Sequence, residues 1–373
     1  MIDSQHNLSS PFSVEWTHQL FNTESAFGVD NALTQICKSL TPVKLLPIID
    51  DGVFAQHPSL TKMIQQWGET ANVNCCAPLT IQGGEQSKND FACVEQILEA
   101  IHNEHLCRKS AVLAIGGGAV LDAIGFAASI AHRGIPLIRI PTTTLSACDS
   151  GLGVKNGINY FGKKNFIGVF DPPYAVINDF SFLTTLDDRH WISGMSEAVK
   201  VALIKDHKLF DSIESQVESL ANRNMDVAKD VIMRSADLHL HHITEGGDPF
   251  EKNESRPLDF GHWSAHKLET LTEFTLTHGE AVSIGLALDV TISKRLGFLD
   301  EHAHGRILSL LNSLNLPTTH EELLNPELIN GLEEFREHIG GKLTLLMLED
   351  IGQPIEIHEL DSEVVRQAID ELM

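Results

Sequence analysis

The segment SAVLAIGGGAVLDAIGFAASIAHRG, residues 110–134, decides the fold of this chain. An apolar run enters three consecutive glycines and leaves as a helix of small residues. The glycines let the backbone approach a ligand closely, and the free amides at the start of a helix attract phosphate. The spacing is GGGxxxD rather than GxGxxG, so the usual dinucleotide fingerprint is missing, and the turn by itself indicates phosphate binding only weakly.

Strand and helix patterns flank this segment on both sides. Residues 44–54 (KLLPIIDDGVF) and 73–81 (VNCCAPLTI) are short apolar runs typical of buried parallel strands. Alternation over residues 12–27 predicts a strand or hairpin at a domain edge. Helices are predicted over residues 29–40, 57–70 and 90–106.

The pattern of predicted elements changes near residue 186. From there to about residue 338 one helix follows another, and a short strand pair (GKLTLLML and PIEIHEL) and a last helix complete the chain. We therefore predict an α/β nucleotide-binding domain with a mostly parallel sheet over residues 1–183, and a mainly α-helical metal- and substrate-binding domain over residues 184–373.

Composition excludes several classes of function. The 373 residues carry a net charge of 27 − 51 = −24 and a pI near 5.1, with no basic run, so a nucleic-acid partner is not expected. The N-terminus lacks the basic and apolar regions of a signal peptide, and no apolar stretch is long enough for a membrane span. The cysteines are scattered without a CxxC pair, which indicates free thiols in a reducing cytosol and hence a cytoplasmic protein. They are Cys37, Cys75, Cys76, Cys93, Cys107 and Cys148.

A histidine-rich stretch, residues 256–280 (RPLDFGHWSAHKLETLTEFTLTHGE), predicts a metal site. His262 and His278, together with Glu197 upstream in SGMSEAVK, could hold one divalent cation and leave a position open for substrate. His262 and His266 are four residues apart and would share a helix face. With 19 histidines in the chain, chance proximity is a real alternative.

Two further clusters allow two interpretations each. The cluster His239, His241 and His242 could bind a metal or simply cover a helix surface. The loop over residues 155–165, with Lys155, Lys163, Lys164 and Asn165 among glycines, could bind phosphate or carboxylate. The alternative for that loop is a solvated β-hairpin.

Several motifs, taken together and in order, resemble the dehydroquinate synthase superfamily, the sugar-phosphate cyclases. They are AIGGGAVLDAIGFAAS, HRGIPLIRIPTTTLSACDSGLGVKNGIN, GKKNFIG, SGMSEAVK and DFGHWSAH…THGEAV. The resemblance extends over nearly the whole chain and is densest over residues 113–205 and 248–290.

This resemblance implies a set of site residues. The implied metal ligands, for Zn²⁺ or Co²⁺, are Glu197, His262 and His278. The implied NAD contacts are Asp50, Glu85, Lys88, Gly116, Gly117, Gly118, Asp122, Thr142 and Thr143. The implied substrate contacts are Asp149, Lys155, Asn165, Lys200, Arg256 and His266. Arg133 would reach the substrate phosphate of the other subunit in a homodimer.

The resemblance also implies the reaction. A sugar phosphate would be oxidised at one alcohol, lose phosphate by β-elimination, be reduced again, and close to a carbocycle by an intramolecular aldol step. NAD would therefore be catalytic rather than consumed. Glu197 and Lys200 are three residues apart, which on a helix aims the metal ligand and the lysine at one substrate.

Two departures from dehydroquinate synthases concern the substrate. Asp259 stands where they carry asparagine. Their segment GGKTGIN is GVKNGIN here, with Asn156 in place of the threonine. Both substitutions are similar to those of the sedoheptulose 7-phosphate cyclases. Loss of one family lysine together with the added carboxylate of Asp259 would weaken a pocket for a carboxylate-bearing substrate by roughly 1–3 kcal/mol, which favours a heptulose phosphate without a carboxylate.

Other positions complicate the choice of substrate. A family lysine is replaced by His241, and a second one near the C-terminus by Arg336 or Glu337. In contrast, His266 is retained, whereas the sedoheptulose-type cyclases tend to lose that histidine. A genuine 3-dehydroquinate synthase is thus the first alternative. A metal-dependent polyol dehydrogenase of the glycerol dehydrogenase type, which would release NADH, is the second, and a non-enzymatic scaffold acting through its dimer surface is the third.

Overall fold

The computed structural model describes residues 10, 13–28, 31–246, 250, 257–339 and 341–373. The strands within these residues are β1 (Leu20–Thr23), β2 (Leu45–Asp50), β3 (Leu79–Ile81), β4 (Ala111–Gly116), β5 (Leu137–Pro141), β6 (Lys155–Tyr160), β7 (Lys163–Phe170), β8 (Ala175–Asp179), β9 (Leu345–Asp350) and β10 (Gln353–Ile357). The helices of the first half are α1 (Ala32–Leu40), α2 (Asp51–Gln56), α3 (Leu60–Ala71), α4 (Ala92–Asn103) and α5 (Gly118–Ile130). Those of the second half are α6 (Asp188–Ser193), α7 (Met195–Lys205), α8 (His207–Ser215), α9 (Val217–Ala221), α10 (Met225–Glu245), α11 (His262–Leu271), α12 (His278–Arg295), α13 (Glu301–Ser313), α14 (Asn330–Ile339) and α15 (Ser362–Leu372).

A six-stranded parallel sheet forms the centre of the first half, in the order β1-β8-β5-β4-β2-β3. Every residue of β2, β4, β5 and β8 is buried, because helices cover both faces of the sheet. Alternate side chains of each strand serve the two faces. Leu46 and Ile48 pack with α4 and α5 on one face, while Leu45 and Ile49 pack with α1 and α3 on the other.

The second half is helical, as the sequence predicts, and is organised around α12. Most of this helix is buried, and it packs against α7, α11, α13 and α15. The strands β9 and β10 form the predicted antiparallel pair. The α/β half followed by a mainly helical half is therefore confirmed as the fold class.

The proposed division at residues 183/184 falls within a short 3-10 helix, Phe182–Thr185. The hydrophobic core of the helical half also takes in Ala147, Cys148 and Phe180 from the first half. The carboxyl ends of the parallel strands thus face the helices, and the division itself stays a prediction.

Two predicted strands are shorter than expected. Of this segment the described residues 13–27 pair in the sheet only over Leu20–Thr23, beside the parallel strand β8 (Ala175–Asp179), and residue 12 lies outside the described residues. Within residues 73–81 only Leu79–Ile81 is strand; Cys75 makes an isolated bridge to Leu45, and Pro78 interrupts the run. Among the residues described, no helix is long and apolar enough to cross a lipid bilayer.

Candidate active site

Helix α7 carries two charged side chains into the interior. Glu197 and Lys200 are three residues apart on this helix, and their side chains are 1% and 2% exposed. Lys200 Nζ lies 2.5 Å from Glu197 Oε2 and 2.9 Å from Asp149 Oδ2. Burial by itself would raise the pKa of Glu197, but the Lys200 ammonium, together with the hydrogen bond and charge of His278, outweighs burial and holds that pKa well below its usual range. Likewise the carboxylates of Asp149 and Glu197 outweigh burial and raise the pKa of Lys200.

Two histidines at helix starts face the same carboxylate. His262 is the first residue of α11, and its Nε2 lies 3.7 Å from Glu197 Oε1. His278 is the first residue of α12, and its Nε2 lies 3.3 Å from the same oxygen. The start of α12 is fixed by a capping box between Thr277 and Glu280. One ligand atom from each of Glu197, His262 and His278 lies within 4.8 Å of the other two.

The other ring nitrogen of each histidine is held by an acceptor. His262 Nδ1 donates to the Phe260 carbonyl at 3.0 Å, and His278 Nδ1 donates to Glu269 Oε2 at 3.1 Å. Because a carbonyl or carboxylate oxygen can only accept, each Nδ1 carries a hydrogen, and in the neutral form of each ring the Nε2 lone pair points toward Glu197. This is the arrangement of a metal-binding histidine with its supporting acceptor. The donor set, two imidazoles and one carboxylate, fits a catalytic Zn²⁺ with an open position.

The two rings differ in their electrostatic surroundings. Burial, reinforced by the charge of Lys200, holds the pKa of His262 well below its usual range. Burial would also lower the pKa of His278, but Glu269 and Glu197 outweigh it and raise that pKa to about 9. A proton on His278 would therefore have to leave before Nε2 could bind a metal.

A buried ion pair between Lys164 and Glu269 lies behind His278, and the sequence did not predict it. Lys164 Nζ lies 2.5 Å from Glu269 Oε1, with side-chain exposures of 10% and 3%. Lys164 therefore lies behind the candidate metal ligand His278 and binds its partner Glu269, whereas its neighbour Lys163 is exposed and lies 3.4 Å from Glu337. The loop lysines accordingly have different environments, and β6 and β7 do form the hairpin that was the alternative interpretation.

His266, Glu269 and His278 form the other group within the described residues that could hold a metal. Both Glu269 oxygens are already engaged, by Lys164 and by His278. The group around Glu197 therefore fits a metal better. His266 is half-buried, with its ring centroid 5.4 Å from that of His262 and 6.0 Å from that of His278, so it shares the face of α11 that the four-residue spacing predicts.

The histidines of α10 do not form one cluster. His239 is buried, and its Nδ1 lies 3.5 Å from Asp149 Oδ1. His241 is exposed and lies 3.3 Å from Glu245. The structure thus brings His239, not His241, to the charged cluster, while the correspondence of His241 to the lost family lysine stays a prediction. Lys155 is exposed at the start of β6, near enough to His239 that its charge helps to lower the pKa of that ring, after the larger effect of burial.

The residues expected to contact NAD gather at the carboxyl edge of the sheet, where open α/β sheets bind ligands. They stand at the end of β2 (Asp50), in the short helix after β3 (Glu85, Lys88), at the end of β4 and the start of α5 (Gly116, Gly117, Gly118, Asp122), and after β5 (Thr142, Thr143). Lys88 is buried and donates to Asp122 Oδ2 at 2.7 Å and to Asn165 Oδ1 at 2.5 Å. Helix α5 begins after Gly117 without a side-chain cap, so its first amides are open to an anion.

Asp50 and its neighbouring glycine are closely fitted. Asp50 Oδ1 accepts from the Gly52 amide at 2.8 Å, and burial raises the pKa of this carboxyl. A Cβ on Gly83 would come within 2.3 Å of the same oxygen. A side chain at Gly83 would therefore displace the Asp50 carboxylate.

Asn156 turns away from the charged cluster. Its Oδ1 accepts from Arg139 Nη2 at 2.6 Å, and its Nδ2 donates to the Asp171 carbonyl at 2.9 Å. Arg139 is completely buried and also donates to the Gly151 and Gly153 carbonyls. Asn156 therefore helps to fix the loop between Asp149 and Lys155 rather than lining the charged cluster.

Four other predicted residues remain, and one of them lies outside the described chain. Arg133 is exposed, with φ of 65°, and has no side-chain hydrogen bond or ion pair to any described residue. Asp259 is half-buried in the short 3-10 helix before α11. Arg256 lies outside the described residues. Arg336 pairs with Glu333 on the surface.

Comparison with known proteins accounts for this arrangement. Residues 78–193 match the 3-dehydroquinate synthase N-terminal family and residues 194–336 match the 3-dehydroquinate synthase C-terminal family. A 2-epi-valiolone synthase of Actinosynnema mirum is 32% identical over 91% of this chain and 89% of that protein. A 3-dehydroquinate synthase of Halorhodospira halophila is 31% identical over 86% of this chain and 93% of that protein.

A solved structure resembles the whole chain. It is a 2-epi-5-epi-valiolone synthase from Streptomyces hygroscopicus with NAD⁺ and Zn²⁺ bound. It superposes with a TM-score of 0.89 at 28% identity and covers 98% of this chain and 99% of its own. The similarity therefore includes both the sheet and the helical half.

Proposed function

The chain belongs to the 3-dehydroquinate synthase family of sugar-phosphate cyclases, which are carbon–oxygen lyases, and we propose that it converts a heptulose phosphate without a carboxylate, of the sedoheptulose 7-phosphate type, to a carbocycle. The observation that carries the proposed chemistry is the convergence of Glu197, His262 and His278 on one point beside Lys200. NAD and a divalent metal, Zn²⁺ or Co²⁺, are the proposed cofactors. They fit the open amides of α5 and the imidazole–carboxylate set.

Each cofactor has proposed contacts in the chain. Glu197, His262 and His278 would hold the metal. Asp50 would bind the adenosine ribose and the Gly116–Gly118 turn the pyrophosphate. Glu85, Lys88, Asp122, Thr142 and Thr143 would complete the NAD contacts. When bound, NAD supplies reversible oxidation of one substrate alcohol, and the metal polarises the substrate oxygens.

Lys200 and Asp149 would orient the substrate. Their mutual ion pair and the neighbouring Glu197 keep Lys200 charged, so its ammonium can donate to substrate hydroxyls or to a developing oxyanion. His266 is the proposed proton acceptor. Burial, reinforced by the charge of Lys164, holds the pKa of His266 well below its usual range, so its ring is neutral and has a lone pair available. Lys155, Asn165 and Arg256 would complete the substrate contacts.

Two observations favour a substrate without a carboxylate. The relatives with valiolone synthase names cover nine-tenths or more of the chain. Asp259 adds a negative charge three residues before His262, where a substrate carboxylate would be repelled. In contrast, Asn156 is bonded to Arg139 within the loop and so gives no direct evidence about the substrate. 3-Dehydroquinate synthase is the second candidate, supported by the retained His266.

A homodimer is part of the proposal. Arg133 is exposed on a turn with positive φ and has no ion pair among the described residues. We infer that it reaches the substrate phosphate of the partner subunit, where its guanidinium would find an acceptor.

The metal assignment is tested with His262→Ala. We expect this variant to lose bound zinc and turnover together, and a variant that keeps full zinc would overturn the ligand set. Turnover should proceed without net formation of NADH. Stoichiometric accumulation of NADH would instead favour the polyol dehydrogenase alternative.

A further inference from the structure

Helix α12 supports both histidines of the proposed metal site. It begins with His278 itself, and its buried body packs against the start of α11, where His262 lies. The contact is close: a Cβ on Gly285 would come within 2.0 Å of the Gly261 carbonyl oxygen. Gly261 has φ of +77°, so the turn that delivers His262 is left-handed and rests directly on the α12 backbone.

One buried carboxylate on α12 grips the residues on either side of His262. Asp289 Oδ2 accepts from the Gly261 amide at 2.9 Å, and Asp289 Oδ1 accepts from Trp263 Nε1 at 2.8 Å. Asp289 is 2% exposed. Both oxygens are thus occupied by donors from the chain, and the carboxylate lies outside the ligand set.

The start of α11 needs such an acceptor. Its N-cap residue is Gly261, which has no side chain to satisfy the first amides of the helix. Asp289 takes over part of this task from the neighbouring helix, and a negative charge near a helix N-terminus is favourable.

A carboxylate is nevertheless a costly choice at this depth. No ion pair of Asp289 with a cation is present among the described residues, and burial raises the pKa of this carboxyl to about 7. An uncompensated buried carboxylate costs free energy that an apolar side chain would not. A carboxylate at this position therefore lowers the stability of the fold, but it supplies two acceptor oxygens at fixed places.

We propose that Asp289 is a positioning residue of the metal site, which holds the Gly261 turn and the Trp263 indole so that Nε2 of His262 faces Glu197. The inference rests on the proposed function, because it takes His262 as a ligand. Asp289 itself touches neither metal nor substrate.

The test is the Zn²⁺ affinity of Asp289→Asn, measured by competition with a chelator. An asparagine offers one oxygen, and its amide group confronts the second donor, so one side of the grip is lost. We expect the affinity for zinc to fall about 10–100-fold, the usual effect of removing a residue that supports a metal ligand. Unchanged affinity would overturn the inference.

Thr291→Val is the matched control. Thr291 is buried on the same helix, and its hydroxyl donates to the Ala287 carbonyl and lies 3.0 Å from His304 Nε2, on the side of α13. This variant should lose stability but keep the zinc affinity of the wild type. An equal loss of affinity in Thr291→Val would mean that general destabilisation explains the effect, and the inference would fail.

Two further variants separate the possible failures. If Asp289→Asn does not fold, Trp263→Phe removes the indole donor alone, and we expect a smaller but measurable loss of zinc affinity; no loss would overturn the inference. If His262→Ala keeps its zinc, the proposed ligand set itself is wrong. If His262→Ala loses zinc while Asp289→Asn binds it normally, only the role of Asp289 is refuted.

Discussion

The substitution Glu269→Gln removes the charge on which two neighbours depend. In the wild type Glu269 Oε2 accepts from His278 Nδ1 at 3.1 Å, and Glu269 Oε1 lies 2.5 Å from Lys164 Nζ. A glutamine has one acceptor oxygen, so it can serve either the imidazole or the ammonium. Its amide nitrogen would then face the other donor.

The magnitude follows from burial. The side chains of Glu269 and Lys164 are 3% and 10% exposed, so the substitution leaves an ammonium in the interior without its hydrogen-bonded counter-charge. Breaking a buried ion pair from one side costs about 3–5 kcal/mol. Loss of the acceptor behind His278 should in addition weaken zinc binding about 10–100-fold.

The assay is urea unfolding with a chelator present, so that bound metal makes no contribution. Glu334→Gln is the control, because Glu334 pairs with Lys267 of the same helix α11 at 2.7 Å but is 54% exposed. Because the Glu334 carboxylate is in contact with water, its pair with Lys267 should contribute only about 0–1 kcal/mol. The reasoning is refuted if Glu269→Gln loses no more unfolding free energy than Glu334→Gln.

Three other outcomes are expected. Inactive Arg133→Ala and Lys200→Ala subunits should regain part of the activity when mixed, because a hybrid dimer contains one intact site; verified heterodimers without activity would count against a shared site. Although partial burial opposes them, the hydrogen bonds from Arg189 and Thr277 together hold the pKa of Glu280 below its ordinary 4.5. Glu280→Gln should therefore cost about 1 kcal/mol of unfolding free energy at neutral pH, and the difference from the wild type should vanish as the pH falls below 4.5, whereas a constant difference would contradict this. Iodoacetamide should modify Cys107 before the other cysteines, as judged by mass spectrometry, because Cys107 is exposed and hydrogen bonding to Lys109 lowers its pKa. Equal labelling of the other cysteines in the native protein would contradict this prediction. Burial raises the pKa of four other thiols to about 11–12: Cys37, Cys75, Cys76 and Cys93.

The sequence predicts the elements whose pattern is complete within the segment itself. The runs over residues 44–54 and 110–134 identify buried strands because parallel strands covered on both faces are apolar throughout. The length of β1 could not be predicted, because it depends on where its partner β8 begins. Likewise, only the fold shows that Lys164 is buried beside Glu269 while Lys163 is exposed.

The same limit applies within the site. The four-residue spacing of His262 and His266 predicts a shared helix face, but spacing alone does not show that the Nε2 of His262 faces Glu197. His239 and His241 are distinguished by the neighbours of α10, which no local pattern contains. The sequence does contain a signal that Asp289 is buried, because this carboxylate lies within an apolar run, AVSIGLALDVTIS. Such a residue is buried at a cost and usually has a specific partner.

The most direct test is release of phosphate by the purified protein with NAD and Zn²⁺, offered sedoheptulose 7-phosphate and, in parallel, 3-deoxy-arabino-heptulosonate 7-phosphate. We predict phosphate release from sedoheptulose 7-phosphate, dependent on both cofactors and without net NADH. Release from the second substrate alone would make the protein a 3-dehydroquinate synthase and contradict the proposed role of Asp259. Release from neither, by protein that has bound NAD and zinc, would contradict the assignment of a heptulose phosphate as substrate.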